Sequence, residues 1–287
     1  MISLQRRYMY DKLMKLFFAV NTVLVLIPLV IIISYVVVQG IGAINLDFFT
    51  QELGSPSRAM RGQPTGLVHT IIGTFVIDFM ALIIAMPFGL GAGIMLSEYP
   101  DHKINPLLRI MTDTLNGMPA VLKGLLAWAL VVKPMGGFSG FAGGVALAFV
   151  MLPILARSTE SALMNIPWSL REAGLAVGLP RWRVVMSVIV PASKTGLVTG
   201  LLIAFARAVG EAAPLLFTSF GNNYMPNRWT GWIFGPVDSL PQRLYSLAIS
   251  PYRQWHELGW AAGIVLLSLV ILSFIVARLA TMEKKYR

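Results

Sequence analysis

Ser169-Leu-Arg-Glu-Ala-Gly-Leu-Ala-Val-Gly178, then Leu-Pro-Arg-Trp-Arg183, then an apolar run carrying Arg207 and Glu211, is the stretch that decides the architecture. A short amphipathic segment bounded by basic residues leads straight into a hydrophobic helix that holds an ion pair. Ser169-x-x-Glu172 has capping-box spacing, in which the serine hydroxyl accepts from the Glu172 amide and the glutamate reaches back to the Ser169 amide. Gly178 suits the position just past a helix end, and Pro180 blocks simple continuation. The spacing predicts a helix of about two turns lying along a membrane face, between two spans.

The rest of the chain supports that placement. Of its 287 residues 56% are hydrophobic and 13% charged, which excludes an ordinary soluble domain and points to an all-α integral membrane protein. A hydrocarbon core about 30 Å thick takes roughly 20 apolar residues as a helix. Six runs qualify, near 16–38, 66–96, 106–132, 141–158, 191–220 and 257–280. The alternating pattern of a barrel is absent, so helices satisfy the backbone. The first run carries no charge and is too long for a signal-peptide core, and reads as a retained anchor.

The net charge of +10 is spread between the apolar runs rather than gathered on one face, which fits orientation and anionic lipid better than nucleic acid. Arg6, Arg7, Lys12, Lys15, Lys103, Arg109, Arg157, Arg171, Arg181, Arg183, Lys194, Arg278, Lys284, Lys285 and Arg287 fall on one side if the helices alternate. Fifteen such residues against six on the other side predict cytoplasmic termini. No cysteine and only three scattered histidines are present, so thiolate and His-cluster metal sites are excluded. A Gly-x4-Gly-Lys-Ser/Thr phosphate loop is also missing, so the chain does not itself bind ATP through that motif.

Within the runs, Gly89-x-Gly91-x-Gly93 offers a close approach to a neighbouring helix, or a flexible end. Asp78, roughly 18 Å into its helix at about 1.5 Å per residue, is either functional or a structural partner for a neighbour such as Lys123. Asn116-Gly117-Met118-Pro119 predicts a kink or break, either plain or lining a pathway. Lys123, one turn later, snorkels to an interface or faces a lumen. Gly196, Gly200, Ala204, Ala208 and Ala212 recur every four residues as a small-residue seam, flanked by Arg207 and Glu211. A charge at the bilayer centre costs about 2.5–3.5 kcal/mol on insertion scales. Two explanations offset that cost. The pair holds the assembly together, or Arg207 offers its donors to a passing anion while Glu211 steadies it and keeps binding weak enough for release. The loop 221–256 is rich in tyrosine and tryptophan, as an interfacial aromatic belt requires, and has room for an external docking partner.

Glu172-Ala173-Gly174-x3-Gly178-x9-Val188-Ile189-Val190-Pro191 resembles the EAA loop of ABC importer permeases, usually Glu-Ala-Ala-x3-Gly-x9-Ile-x-Leu-Pro. Gly174 stands for the second alanine, and valines stand for the Ile and Leu. The run Gly200 to Thr218, with Ala-Arg207-Ala-Val-Gly-Glu211-Ala-Ala-Pro-Leu, is similar to the phosphate-importer branch of that family. Pro119-Ala-Val-Leu-Lys123-Gly124 resembles the branch's Pro-Ser-x-x-x-Gly segment, with Lys123 where an uncharged residue is more usual. The resemblance covers about 66–280 and implies a type I (MetI-like) permease domain with its coupling segment at about 168–180. An N-terminal helix and outer loop (1–65) would precede it and a cytoplasmic tail (281–287) follow.

The same resemblance implies that Ser169, Glu172, Ala173, Gly174 and Gly178 couple to a separate ATPase dimer. That ATPase would hold ATP and magnesium, so no cofactor is expected in this chain. A second homologous permease, an external phosphate-binding protein, inorganic phosphate and the bilayer are the other implied partners, with no nucleic acid. The alternatives are a permease for sulfate, molybdate or phosphonate, or a non-transporting membrane scaffold.

Overall fold

The computed structural model describes residues 4–281; the basic residues 284, 285 and 287, and most of the expected tail, lie outside them. Among the described residues the chain is helical, without a strand ladder. Its principal helices are α1 (Leu4–Gly40), α2 (Val68–Glu98), α3 (Asn105–Gly117), α4 (Ala120–Met135), α5 (Gly140–Met164), α6 (Trp168–Ala176), α7 (Arg181–Ala192), α8 (Lys194–Val209), α9 (Leu240–Ala248) and α10 (Arg253–Thr281). Of these, α1, α2, α5 and α10 are long and apolar enough to cross a membrane unbroken. Counting each of the bent pairs α3–α4 and α7–α8 as one span brings the total to six.

The third span breaks where expected. Pro119 lacks an N–H and disfavours helical backbone at the residue before it. Met118 is accordingly extended, with φ −71° and ψ 128°, and α3 and α4 meet at 114°. The fifth run departs from expectation at both ends. It bends by 73° at Ser193, just after Pro191, and its helix stops at Val209 rather than running on to 220. Gly210 and Pro214 explain the stop, since neither favours a continuing helix. Residues 210–221 instead form turns that close on Gly221, where φ is +86°.

The core is a sandwich of α2, α5 and α8. Ile77, Ala81 and Ala85 pack with Leu147, Met151, Leu155, Ala204 and Ala208, joined by Leu215 and Trp232 from the turns and outer loop. Missing side chains set the spacing. A Cβ on Gly93 would stand 2.5 Å from Thr159 Cβ, and one on Gly89 2.6 Å from Leu155 Cβ. The expected close approach is therefore made by Gly89 and Gly93, whereas Gly91 faces open space. Gly200 rests on Ser158 in the same way and Gly196 on Ala162, so the seam through Ala208 joins α8 to α5. Ala212 lies beyond the helix end and does not belong to it.

Charge binds α3 to α5: Glu160, 8% exposed, receives Arg109 Nη2 at 2.7 Å and Arg157 Nη1 at 3.1 Å, and Arg157 also reaches Asp113. In the loop before α10, Trp232 is buried, while Tyr224, Trp229 and Phe234 stay exposed as an interfacial belt would have them. At this end Asp238 pairs with Arg243 and lies 3.6 Å from buried His69 at the start of α2.

Candidate functional site: a charged cluster and a coupling helix

Two groups of candidate residues stand out, and they sit on different elements. The first is the short helix α6. Pro167, extended at φ −55° and ψ 138°, occupies its N-cap and no side chain caps it. The helix thus begins at Trp168, and the expected capping box is not formed: Ser169 lies one residue inside the helix, out of register with the free amides. Proline's fixed φ sets the start instead. The C-terminus follows expectation, because Gly178 takes the left-handed φ of +82° and its N–H donates to Leu175 O at 2.9 Å.

What fixes α6 is Arg171, which sequence reading had counted only for orientation. Its Nη2 and Nε donate to Glu98 Oε1 and Oε2 at 2.5 and 2.9 Å. Its remaining donors cap the end of α5 at Leu163 O, 2.9 Å, and Ile166 O, 2.8 Å. Arg181 of α7 donates to the Glu98 carbonyl and stacks over Tyr99. Gly174 lies against Val184, with its absent Cβ 2.8 Å from Val184 Cγ1. Arg171 and Gly174 thus form the buried face of α6, and Ser169, Glu172, Ala173 and Gly178 the exposed one, beside exposed Leu175 and Val177. The glycine that stands for the second alanine is the point where the helix seats.

The second group gathers at the end of α8. Arg207 Nη2 forms an ion pair with Glu211 Oε1 at 2.7 Å, and Glu211 N–H donates to Ala208 O at 2.9 Å. The Glu211 side chain is 14% exposed but that of Arg207 is 63% exposed, so the expected buried couple is half open in the single chain. Among the described residues only one edge of the guanidinium is engaged. The break at Pro119 delivers α4 to the same place: Gly124 crosses Pro214 so closely that a Cβ would stand 2.7 Å from Pro214 Cα. Lys123 lies on the same turn with its stem buried, and its ammonium is not among the buried nitrogens that lack a partner. Asp78 is not its partner. That carboxyl is buried in α2, with Oδ1 unbonded and no hydrogen bond or ion pair to Lys123, Arg207 or Glu211 among the described residues.

A bent span, a glycine-seated surface helix and an open guanidinium beside a carboxylate occur together in this chain. Residues 85–282 match the family model described as "Binding-protein-dependent transport system inner membrane component". The chain is 37% identical over 249 residues to the phosphate transport system permease protein PstA of Xylella fastidiosa, covering 86% of this chain and 84% of that one. It is 34% identical over 281 residues to the PstA of Haemophilus influenzae, covering 97% and 96%. The chain belongs to the PstA group of binding-protein-dependent permeases. Its fold is shared with the MetNI methionine ABC transporter in an inward-facing conformation, at TM-score 0.59 and 21% identity over 74% of this chain and 91% of that one. It is a multi-pass inner-membrane permease subunit of an ABC importer, with the MetI-like architecture that the EAA-type loop implied.

Proposed function

We propose that this permease passes inorganic phosphate across the membrane between Arg207 and a second, homologous permease. The single observation that carries this reading is the half-engaged guanidinium. Arg207 spends one Nη on Glu211 and leaves the rest of its side chain open at the end of α8. A planar fork of charged donors matches an oxyanion, and a neighbouring carboxylate both orients the fork and weakens its hold, as transport demands. The PstA names of its relatives supply the anion.

In this reading α6 docks its exposed face into an ATPase subunit, which binds ATP and magnesium. The exposed apolar side chains of Leu175 and Val177, beside Glu172, suit a protein cleft better than water. Glu98 and Arg171 carry the push of that subunit into α2. An external phosphate-binding protein delivers the anion at the end that carries α9, and both termini lie in the cytoplasm. Asp78 serves as a buried structural carboxyl and Pro119 as the hinge that brings Lys123 to the site.

Vesicles holding the complete complex test the substrate. Uptake of radiolabelled phosphate should resist excess sulfate, molybdate and phosphonate and yield only to unlabelled phosphate or arsenate. Equal competition by sulfate would reassign the chain to another oxyanion.

A further inference from the structure

Lys123 is buried, with 7% of the residue exposed, one turn into α4. Among the described residues no hydrogen bond or carboxylate within 4 Å holds its ammonium. Its turn is pressed onto the segment that follows Glu211, since Gly124 packs against the Pro214 backbone. Glu211 stands three residues before Pro214 and is already ion-paired with Arg207 at 2.7 Å, so those two cancel and the net charge of the cluster is that of the lysine.

The enclosed part is the stem, since Lys123 Nζ is not among the buried nitrogens without a partner, so the ammonium reaches open space with its donors unspent. An oxyanion would supply both the counter-charge and the acceptors, for an ammonium has three donors to place. We propose that Lys123 is the second cationic ligand of the site and the source of its net positive charge, sharing a tetrahedral oxyanion with the open edge of Arg207. This rests on Arg207 and Glu211 lining the pathway. Lys123 adds what they lack, because a neutral ion pair by itself attracts no anion.

A lysine that only filled space would be replaced without loss by methionine, which has similar length and no charge. The test compares Lys123→Met and Lys123→Arg in the complete complex, reconstituted in vesicles with its ATPase and binding protein. Initial radiolabelled phosphate uptake is measured together with subunit content and thermal midpoint. Lys123→Met should lower uptake about tenfold or more, the scale of one lost charge-assisted hydrogen bond. Its complex should stay whole, with an unchanged or higher midpoint. Lys123→Arg should return uptake to within about threefold of the parent, since it keeps the charge on a different frame. Parent-like uptake by Lys123→Met would overturn the proposal, as would equal failure of both variants with loss of subunits. Arg207→Gln, run alongside, separates the two levels: if it is inactive while Lys123→Met is active, only the role of the lysine falls. If Arg207→Gln transports as well, the pathway reading falls too.

Discussion

Glu98 and Arg171, 73 residues apart, meet in a buried two-point ion pair, with Arg171 Nε 2.9 Å from Glu98 Oε2 and Nη2 2.5 Å from Oε1. The carboxylate ends the second span and the guanidinium sits on α6, so in the proposed mechanism the pair would join force to pathway. Removing one partner of a buried pair strands the other charge and costs about 3–5 kcal/mol, whereas replacing both by apolar residues is often neutral. Glu98→Ala should therefore lower the thermal midpoint of the purified complex and the phosphate moved per ATP hydrolysed. Glu98→Met with Arg171→Met should regain much of the midpoint but not the coupling. Thermal unfolding and parallel uptake and ATPase assays check both outcomes.

The seat of the same helix can be probed without charge. A Cβ on Gly174 would meet Val184 Cγ1 at 2.8 Å and Cγ2 at 2.9 Å. Gly174→Val forces the two elements apart at a cost of about 1–3 kcal/mol. Copurification of the ATPase subunit should fall with it, and adding Val184→Ala should bring part of it back.

How much of this was readable from the chain differs from residue to residue. The apolar runs other than the fifth, and the break at Pro119, are written locally, in side-chain hydropathy and a missing N–H, and they appear where expected. Gly178 is local too, since a left-handed φ has few other solutions. The start of α6 was misplaced because Ser169 fits a capping box only if the helix begins after it, and Pro167 starts the helix earlier. The stop at Val209 was also available, in Gly210 and Pro214, but continuous hydropathy masked it. Glu98, Arg171 and Glu160 were out of reach in another sense. Periodicity shows which face of a helix is buried but not which residue tens of positions away completes it. Arg207 and Glu211 were found because four-residue spacing makes their pairing local, while their half-open state depends on the turn that follows.

The glycines of α2 give an internal control. Gly93 abuts Thr159 at 2.5 Å for an added Cβ, but nothing lies within 4 Å of one on Gly91. Gly91→Ala should be neutral or stabilise by up to about 0.5–1 kcal/mol through helix propensity. Gly93→Ala should destabilise, by about 1–3 kcal/mol if α2 and α5 must separate. Thermal midpoints of the two variants, measured side by side, should move in opposite directions or only for Gly93.

The central claim is that the charged cluster at the end of α8 moves the anion. The most direct measurement is initial phosphate uptake by vesicles containing the intact complex with Arg207→Gln, and with Arg207→Gln and Glu211→Gln together, at matched subunit content. The account predicts that uptake falls to background in the first and stays there in the second, with every subunit still present. Uptake at the parent rate with both side chains neutralised would contradict it, and so would loss of the complex in place of loss of transport.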